Sequence, residues 1–182
     1  MSDGRVVYGF GFGWSEQEMA DHGVDPRRRR ATVRETMLAV RELWTAEQAS
    51  FSGEFVRFPP SWCWPKPKTA SAIPLLLGAR ASDKVFDHVI EYCDGWVPSV
   101  RGDVEAFAAD VRRLRARAEQ AGRDPGSVEV HVVAPNRSLE LFEGLRAAGV
   151  RRAILHLPFG DIDEIRHRLD DYARDFLPWF PS

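Results

Sequence analysis

IPLLLGARASDKVFDHVIEYCDGWVP, residues 73–98, reads as strand, glycine turn, helix and second strand. Ile73, Leu75, Leu76 and Leu77 form an apolar run of the kind that parallel strands show when helices cover both faces. Gly78 ends the run, and Ser82 is placed to accept a hydrogen bond from an N–H of the first helical turn. Val85, Phe86, Val89 and Ile90 then recur at helical spacing, and Asp94 and Gly95 close the helix ahead of Trp96 and Val97. A β/α/β unit of this kind offers free backbone N–H groups at a helix N-terminus, a seat for a phosphate. The plainer reading of the same residues is a tight turn that binds nothing.

Toward the N-terminus, residues 5–10 read as a strand, followed by glycines at 9, 11 and 13 and then Trp14. A chain in a core strand by its fifth residue is unusual, because termini are normally frayed. Residues 28–45 form an amphipathic helix with Val33, Met37, Val40 and Trp44 on one face. The run from Arg27 to Arg30 at its start reads as a solvated face, with anion binding as the sharper alternative. Residues 51–72 alternate around Gly53 and then pack prolines with Trp62 and Trp64, which excludes helix. They are expected as an insertion over the barrel mouth, where loops carry function, or as a segment whose tryptophans plug the rim of the core.

Beyond Pro98 the pattern is regular. A helix over 103–121, a strand over 128–133, a helix over 138–148, a strand over 152–157 and a last helix marked by Ile162, Ile165, Leu169, Tyr172 and Phe176 follow in turn. Strands near residues 6, 75, 96, 130 and 155, each followed by a helical segment, predict an α/β fold with a parallel sheet and right-handed crossovers, either doubly wound or a (β/α) barrel. The dinucleotide fingerprint fails at both registers: from Gly9 it meets Trp14, and from Gly11 it meets Glu16, where glycine is required.

The 182 residues suffice for one domain. A net charge of −2 gives no support to nucleic acid or an anionic membrane as partner. Of 25 basic residues 22 are arginine, a bias that a GC-rich genome explains as readily as chemistry. Cys63 and Cys93 have no metal spacing, and with no signal core or apolar spanning run a reduced cytoplasmic setting is the expectation. His131 and His156 lie on strands without a metal-spaced partner and read as core or rim histidines; no metal site is expected.

Six segments in register, GFGFGWSEQE, the helix with RxxxxRE ending in LW, FSGEFVRF, PKP, IPLLLGARAS and EYCDGWVP, resemble the luciferase-like monooxygenase family over residues 5–98, in its deazaflavin- and FMN-dependent branch. GVRRAILHLP is compatible. The resemblance implies a TIM barrel, of which about five of eight β/α units are present; residues 6–10 fall on the family's fourth strand, so the first three units are expected to be missing from a single domain over 1–182. A partial barrel exposes two strand edges, which a homo-oligomer would cover.

The resemblance further implies a flavin- or deazaflavin-dependent oxidoreductase or monooxygenase acting on a small organic substrate by hydride transfer or oxygen activation, with coenzyme F-420 or FMN as cofactor. Its phosphate would be held by Gly11, Gly13 and Trp14 in one turn and by Gly78, Ala79, Arg80, Ala81 and Ser82 in the other. Many members carry a second glycine where Ala79 stands, and sugar-phosphate-oxidising members carry a carboxylate near Trp14, so that substrate class loses support. Glu18 matches a carboxylate recurrent in the family. No catalytic residue is assigned, because the family's general base tends to lie on the earlier strands. The alternative is a non-catalytic remnant, an oligomerising partial barrel with at most a phosphate-ligand site.

Overall fold

Leu75, Leu76 and Leu77 are each 3% exposed or less, as an apolar run between two helix layers requires. They form β4 (Leu75–Gly78), the second strand of a five-stranded sheet in a computed structural model that describes residues 3–68, 73–134 and 138–176. In chain order the elements are β1 (Tyr8–Gly11), α1 (Glu16–Asp21), α2 (Arg29–Thr45), β2 (Ala49–Ser52), β3 (Arg57–Ser61), β4, α3 (Asp83–Tyr92), β5 (Gly95–Trp96), α4 (Val104–Gln120), β6 (Glu129–Ala134), α5 (Leu139–Ala147), β7 (Arg152–Leu155) and α6 (Ile162–Phe176). The sheet order is β1-β4-β5-β6-β7 and every pairing in it is parallel. Helices separate successive strands, so this is the partial (β/α) barrel that the sequence predicts, with all strand C-termini at one mouth.

The pleat sorts the strand residues. Leu75, Leu77, Trp96, Val130, Val132 and Ala134 join Phe86, Val89, Phe107, Val111 and Leu114 from the helices in one buried cluster. Leu76 pairs with Gly95 on the opposite face, and a Cβ on Gly95 would stand 2.6 Å from a Leu76 methyl and 2.4 Å from the Glu129 carbonyl oxygen. Only glycine fits there.

Polar groups fix the other ends of the elements. Asp94 Oδ2 accepts from the Leu75 N–H at 2.7 Å and from Arg41 Nη2 at 2.6 Å, tying the start of β4 to the last turns of α2. Arg123 Nη1 donates to the Val89, Ile90 and Cys93 carbonyls at 2.8–3.1 Å and satisfies the C-terminus of α3.

The insertion forms an antiparallel hairpin of β2 and β3 packed along α2, with the Glu35 carboxylate accepting from the Glu54, Phe55 and Val56 N–H groups at 2.7–3.1 Å. Lys66 donates to the Leu43 and Ala46 carbonyls, so Trp62 and Trp64, both well exposed, stand by the C-terminal end of α2. That end is level with the strand N-termini, as the Arg41–Asp94–Leu75 contacts show. The described part of 51–72 runs along the outside of α2, from the Lys66 contacts at its C-terminal end to the hairpin tip, where Glu54 pairs with Arg28 and Phe55 lies under the Arg28 guanidinium at its N-terminal end. Residues 69–72 lie outside the described residues.

Candidate functional site

The parallel pairing of β1 with β4 sets Gly11 opposite Gly78, which brings both predicted turns to one edge of the mouth. A Cβ on Gly11 would stand 3.1 Å from the Gly78 carbonyl oxygen, and one on Gly78 would stand 3.3 Å from the Phe10 carbonyl oxygen, so glycine permits this close approach. Gly13 has φ +79° and its α-carbon faces the Met19 side chain. Trp14 is 91% exposed, with its indole in solvent at the mouth.

In the second turn Ala79 and Ala81 are half-buried, Arg80 is exposed, and the Ser82 hydroxyl caps α3 by accepting from the Val85 N–H at 3.3 Å. Trp96 Nε1 donates to the Ala79 carbonyl at 2.9 Å. That indole is 1% exposed, set edge-on to Phe86 and stacked on Phe107, so a buried ring pins the turn from below. Among the described residues, the N–H groups of Arg80, Ala81, Ser82, Asp83 and Lys84 have no acceptor. Five unsatisfied donors in succession, a guanidinium beside them and the positive end of a ten-residue helix make an anion seat. An open cleft of about 470 Å³ adjoins it, lined by Arg80, Ala81, Trp96, Ser99, Asp103 and Phe107. This donor set fits the phosphate of a flavin or deazaflavin.

The histidines stand apart from this seat. His131 is 2% exposed on β6 and bonds Glu129 Oε2 at 2.9 Å; burial first, against the pull of that carboxylate, holds its pKa below the usual imidazole value. The backbone carbonyl of His156 accepts from the Tyr172 hydroxyl. Burial pushes the Cys93 thiol up to about 12, which leaves it a protonated core side chain, and Cys63 is likewise free. Among the described residues no group of three His, Cys, Asp or Glu has metal geometry, and no helix is long and apolar enough to cross a membrane.

The sequence profile of the luciferase-like monooxygenases matches residues 1–136, which include both turns. The chain belongs to the luciferase-like monooxygenase family. Within it, an uncharacterized protein of Mycobacterium tuberculosis is 47% identical over 124 residues, covering 68% of this chain and 43% of that protein. An F-420-dependent hydroxymycolic acid dehydrogenase of the same organism is 30% identical over 129 residues, covering 69% of this chain and 34% of the dehydrogenase. The chain thus spans less than half the length of these curated relatives. In fold it is like a monooxygenase of Streptomyces bottropensis, with a TM-score of 0.77 at 18% identity over 99% of this chain and 70% of that one.

Of the predicted site residues the pairing thus sets Gly11 opposite Gly78, while Gly13 faces Met19 and Trp14 is turned out to solvent. Sequence reasoning placed Trp96 only as the start of a strand. Its role under the turn had no local signal, because it depends on β5 lying beside β4. The arginine run divides: Arg28 pairs with Glu54 and Arg29 with Glu16, as a solvated face would, while Arg30 lies over the Phe12 ring at the mouth.

Proposed function

We propose that this luciferase-like chain carries the phosphate-binding part of a flavin or deazaflavin site, and that the protein is an oxidoreductase acting on a small organic molecule with coenzyme F-420 or FMN. The observation that carries this reading is the row of unsatisfied N–H groups from Arg80 to Lys84 at the start of α3, in register with the Gly11 turn. When bound, the cofactor ring supplies the redox chemistry. The chain's own residues bind and orient: the N–H row and Ser82 receive the phosphate, Arg80 neutralises it, Trp96 holds the Ala79 carbonyl so that the turn keeps its shape, and Gly11 and Gly78 bring the two turns together. Coenzyme F-420 is favoured by the likeness to the F-420-dependent dehydrogenase. The cytoplasm is the proposed setting, consistent with two free cysteines.

Titration of the 182-residue chain with coenzyme F-420 and with FMN, followed by cofactor fluorescence, is the test. Binding of at least one is expected, and Arg80→Ala is expected to weaken it roughly 10-fold or more, as loss of a charge-assisted hydrogen bond does. Absence of binding to both would overturn the reading.

A further inference from the structure

The inner face of the sheet, turned away from the helices, carries a pattern of its own. Tyr8 and Phe10 of β1 point outward to Trp44 and Tyr92, so Gly9 and Gly11 lie on the inner face, paired with Leu76 and Gly78 of β4. A Cβ on Gly9 would meet nothing within 4 Å, so the packing of the chain itself gives no reason for glycine there. A strand glycine without a crowding neighbour marks a backbone that something else approaches closely. The same face continues through Val97 to β6. Leu77 pairs with Trp96, Trp96 with Val130 and Ser99 with Val133, which sets Val97 level with Gly78 on one side and with His131 on the other. Val130, Val132 and Ala134 belong to the cluster under the helices, so Glu129 and His131 point inward.

Gly11, Gly78, Val97 and His131 thus form one row, with a bare backbone shelf at one end and an imidazole at the other, about 10 Å from Gly78 across two strand spacings. The imidazole is 2% exposed, and its Nε2 lies 2.9 Å from Glu129 Oε2. A carboxylate only accepts, so Nε2 carries the proton and Nδ1 presents a lone pair. Among the described residues Nδ1 has no partner. Arg151 braces Glu129 at 3.4 Å, and Arg152, paired with His131 on β7, is the next charged group along that face. Burial keeps the imidazole neutral at neutral pH, and Nδ1 stays an acceptor. We propose that His131 binds the redox ring of the cofactor: the ring lies on the Gly9, Gly11 and Gly78 shelf, and its imide N–H donates to His131 Nδ1, which Glu129 holds in that tautomer. The inference rests on the proposed cofactor reading and deepens it. The seat takes the phosphate at one end of the row, the sugar-alcohol chain covers the distance between, and the imidazole fixes the far edge of the ring. FMN and coenzyme F-420 share that edge, so His131 contributes affinity without choosing between them.

The test titrates the full chain, by cofactor fluorescence, with FMN and coenzyme F-420 and with the counterpart of each that is methylated on the imide nitrogen, which keeps the phosphate and removes the donor. The unaltered chain is expected to bind the methylated form roughly 5- to 10-fold more weakly, the worth of one net hydrogen bond. In His131→Leu, which fills the space and removes the acceptor, the two forms are expected to bind alike. His131→Asn, whose carboxamide oxygen stands near the place of Nδ1, is expected to keep part of the difference, and Glu129→Gln, which no longer fixes the tautomer, to reduce it. Inorganic phosphate is expected to compete equally well in the unaltered chain and in His131→Leu, because the seat is untouched. Equal affinity of the natural and methylated forms in the unaltered chain would overturn the assignment without recourse to any variant and leave the phosphate seat standing. A difference that survives in full in a folded His131→Leu would overturn it as well. Failure of every form to bind would remove the seat and the ring contact together.

Discussion

Trp96 shows how one side chain joins core to site. Its ring is part of the buried cluster with Phe86 and Phe107, and its single N–H is spent on the Ala79 carbonyl of the turn. Trp96→Phe keeps an aromatic ring in the core and removes the donor. The expected result is a modest stability loss of about 1 kcal/mol and a roughly 3- to 10-fold weaker hold on the cofactor, the range a single net hydrogen bond supports. Urea unfolding and fluorescence titration of the same variant measure the two effects. Unchanged affinity would show that the turn keeps its shape without the indole. Glu35 serves three partners at once: burial raises its carboxyl pKa, and the N–H groups of Phe55, Glu54 and Val56 together outweigh this and hold it below its ordinary 4.5. A depressed carboxyl stabilises the hairpin turn above pH 4.5 and ceases to do so as the pH falls through its folded value. Amide exchange at residues 54–56 is therefore expected to accelerate on acidification below pH 4.5, beyond the change in intrinsic rate, and Glu35→Gln is expected to remove that pH step.

At the scale of the element, α3 carries both a structural cap and the proposed phosphate seat, and the two can be separated at one position. Ser82→Ala removes the hydroxyl that accepts from Val85 and is expected to cost about 1 kcal/mol, the usual worth of an N-cap. Ser82→Asp restores the cap, since aspartate accepts at that position equally well, but sets a negative charge in the seat. Thermal unfolding is expected to show Ser82→Asp near the original stability, and titration is expected to show it at least roughly 10-fold weaker toward the phosphate-bearing cofactor. If both variants bind as the unaltered chain does, the start of α3 is a cap and nothing more. The far end of the same helix is held by Arg123 from beyond α4, so α3 is fixed at its foot and presents its free donors only at the mouth.

At the scale of the whole molecule, the described sheet has β1 at one edge and β7 at the other, both parallel and both unpaired on their outer side. Val6 and Tyr8 by the first edge, and Ile154, Leu157, Ile162 and Leu169 by the second, leave apolar surface exposed. A homo-oligomer that covers these edges is the expected state of the isolated 182-residue chain. Sedimentation is expected to give a mass above 20.6 kDa. Ile154→Lys, a charge on the β7 edge, is expected to shift the distribution toward the monomer. A monomer at all concentrations would overturn this expectation.

Periodicity and turn chemistry were enough to read the strand, turn and helix order of this protein, because apolar spacing at periods of two and 3.6 is a local property of the chain. The strands near 75, 96, 130 and 155 fall where their apolar runs stand, and the five-unit parallel order follows from their alternation with helices. Both turns of the candidate site were legible for the same reason, since glycines at strand ends and a serine before a helical run are local signals. The tertiary structure decided three things. The register that sets Gly11 against Gly78 depends on pairing strands 67 residues apart, the Trp96 bond to Ala79 on β5 lying beside β4, and the course of the tryptophan-bearing insertion on the direction in which α2 leaves it. None of these is carried by residues adjacent in the chain. What the fold adds to 73–98 is its neighbours: a second glycine turn beside Gly78, an indole beneath Ala79, and beyond Val97 the inward-facing His131 of β6.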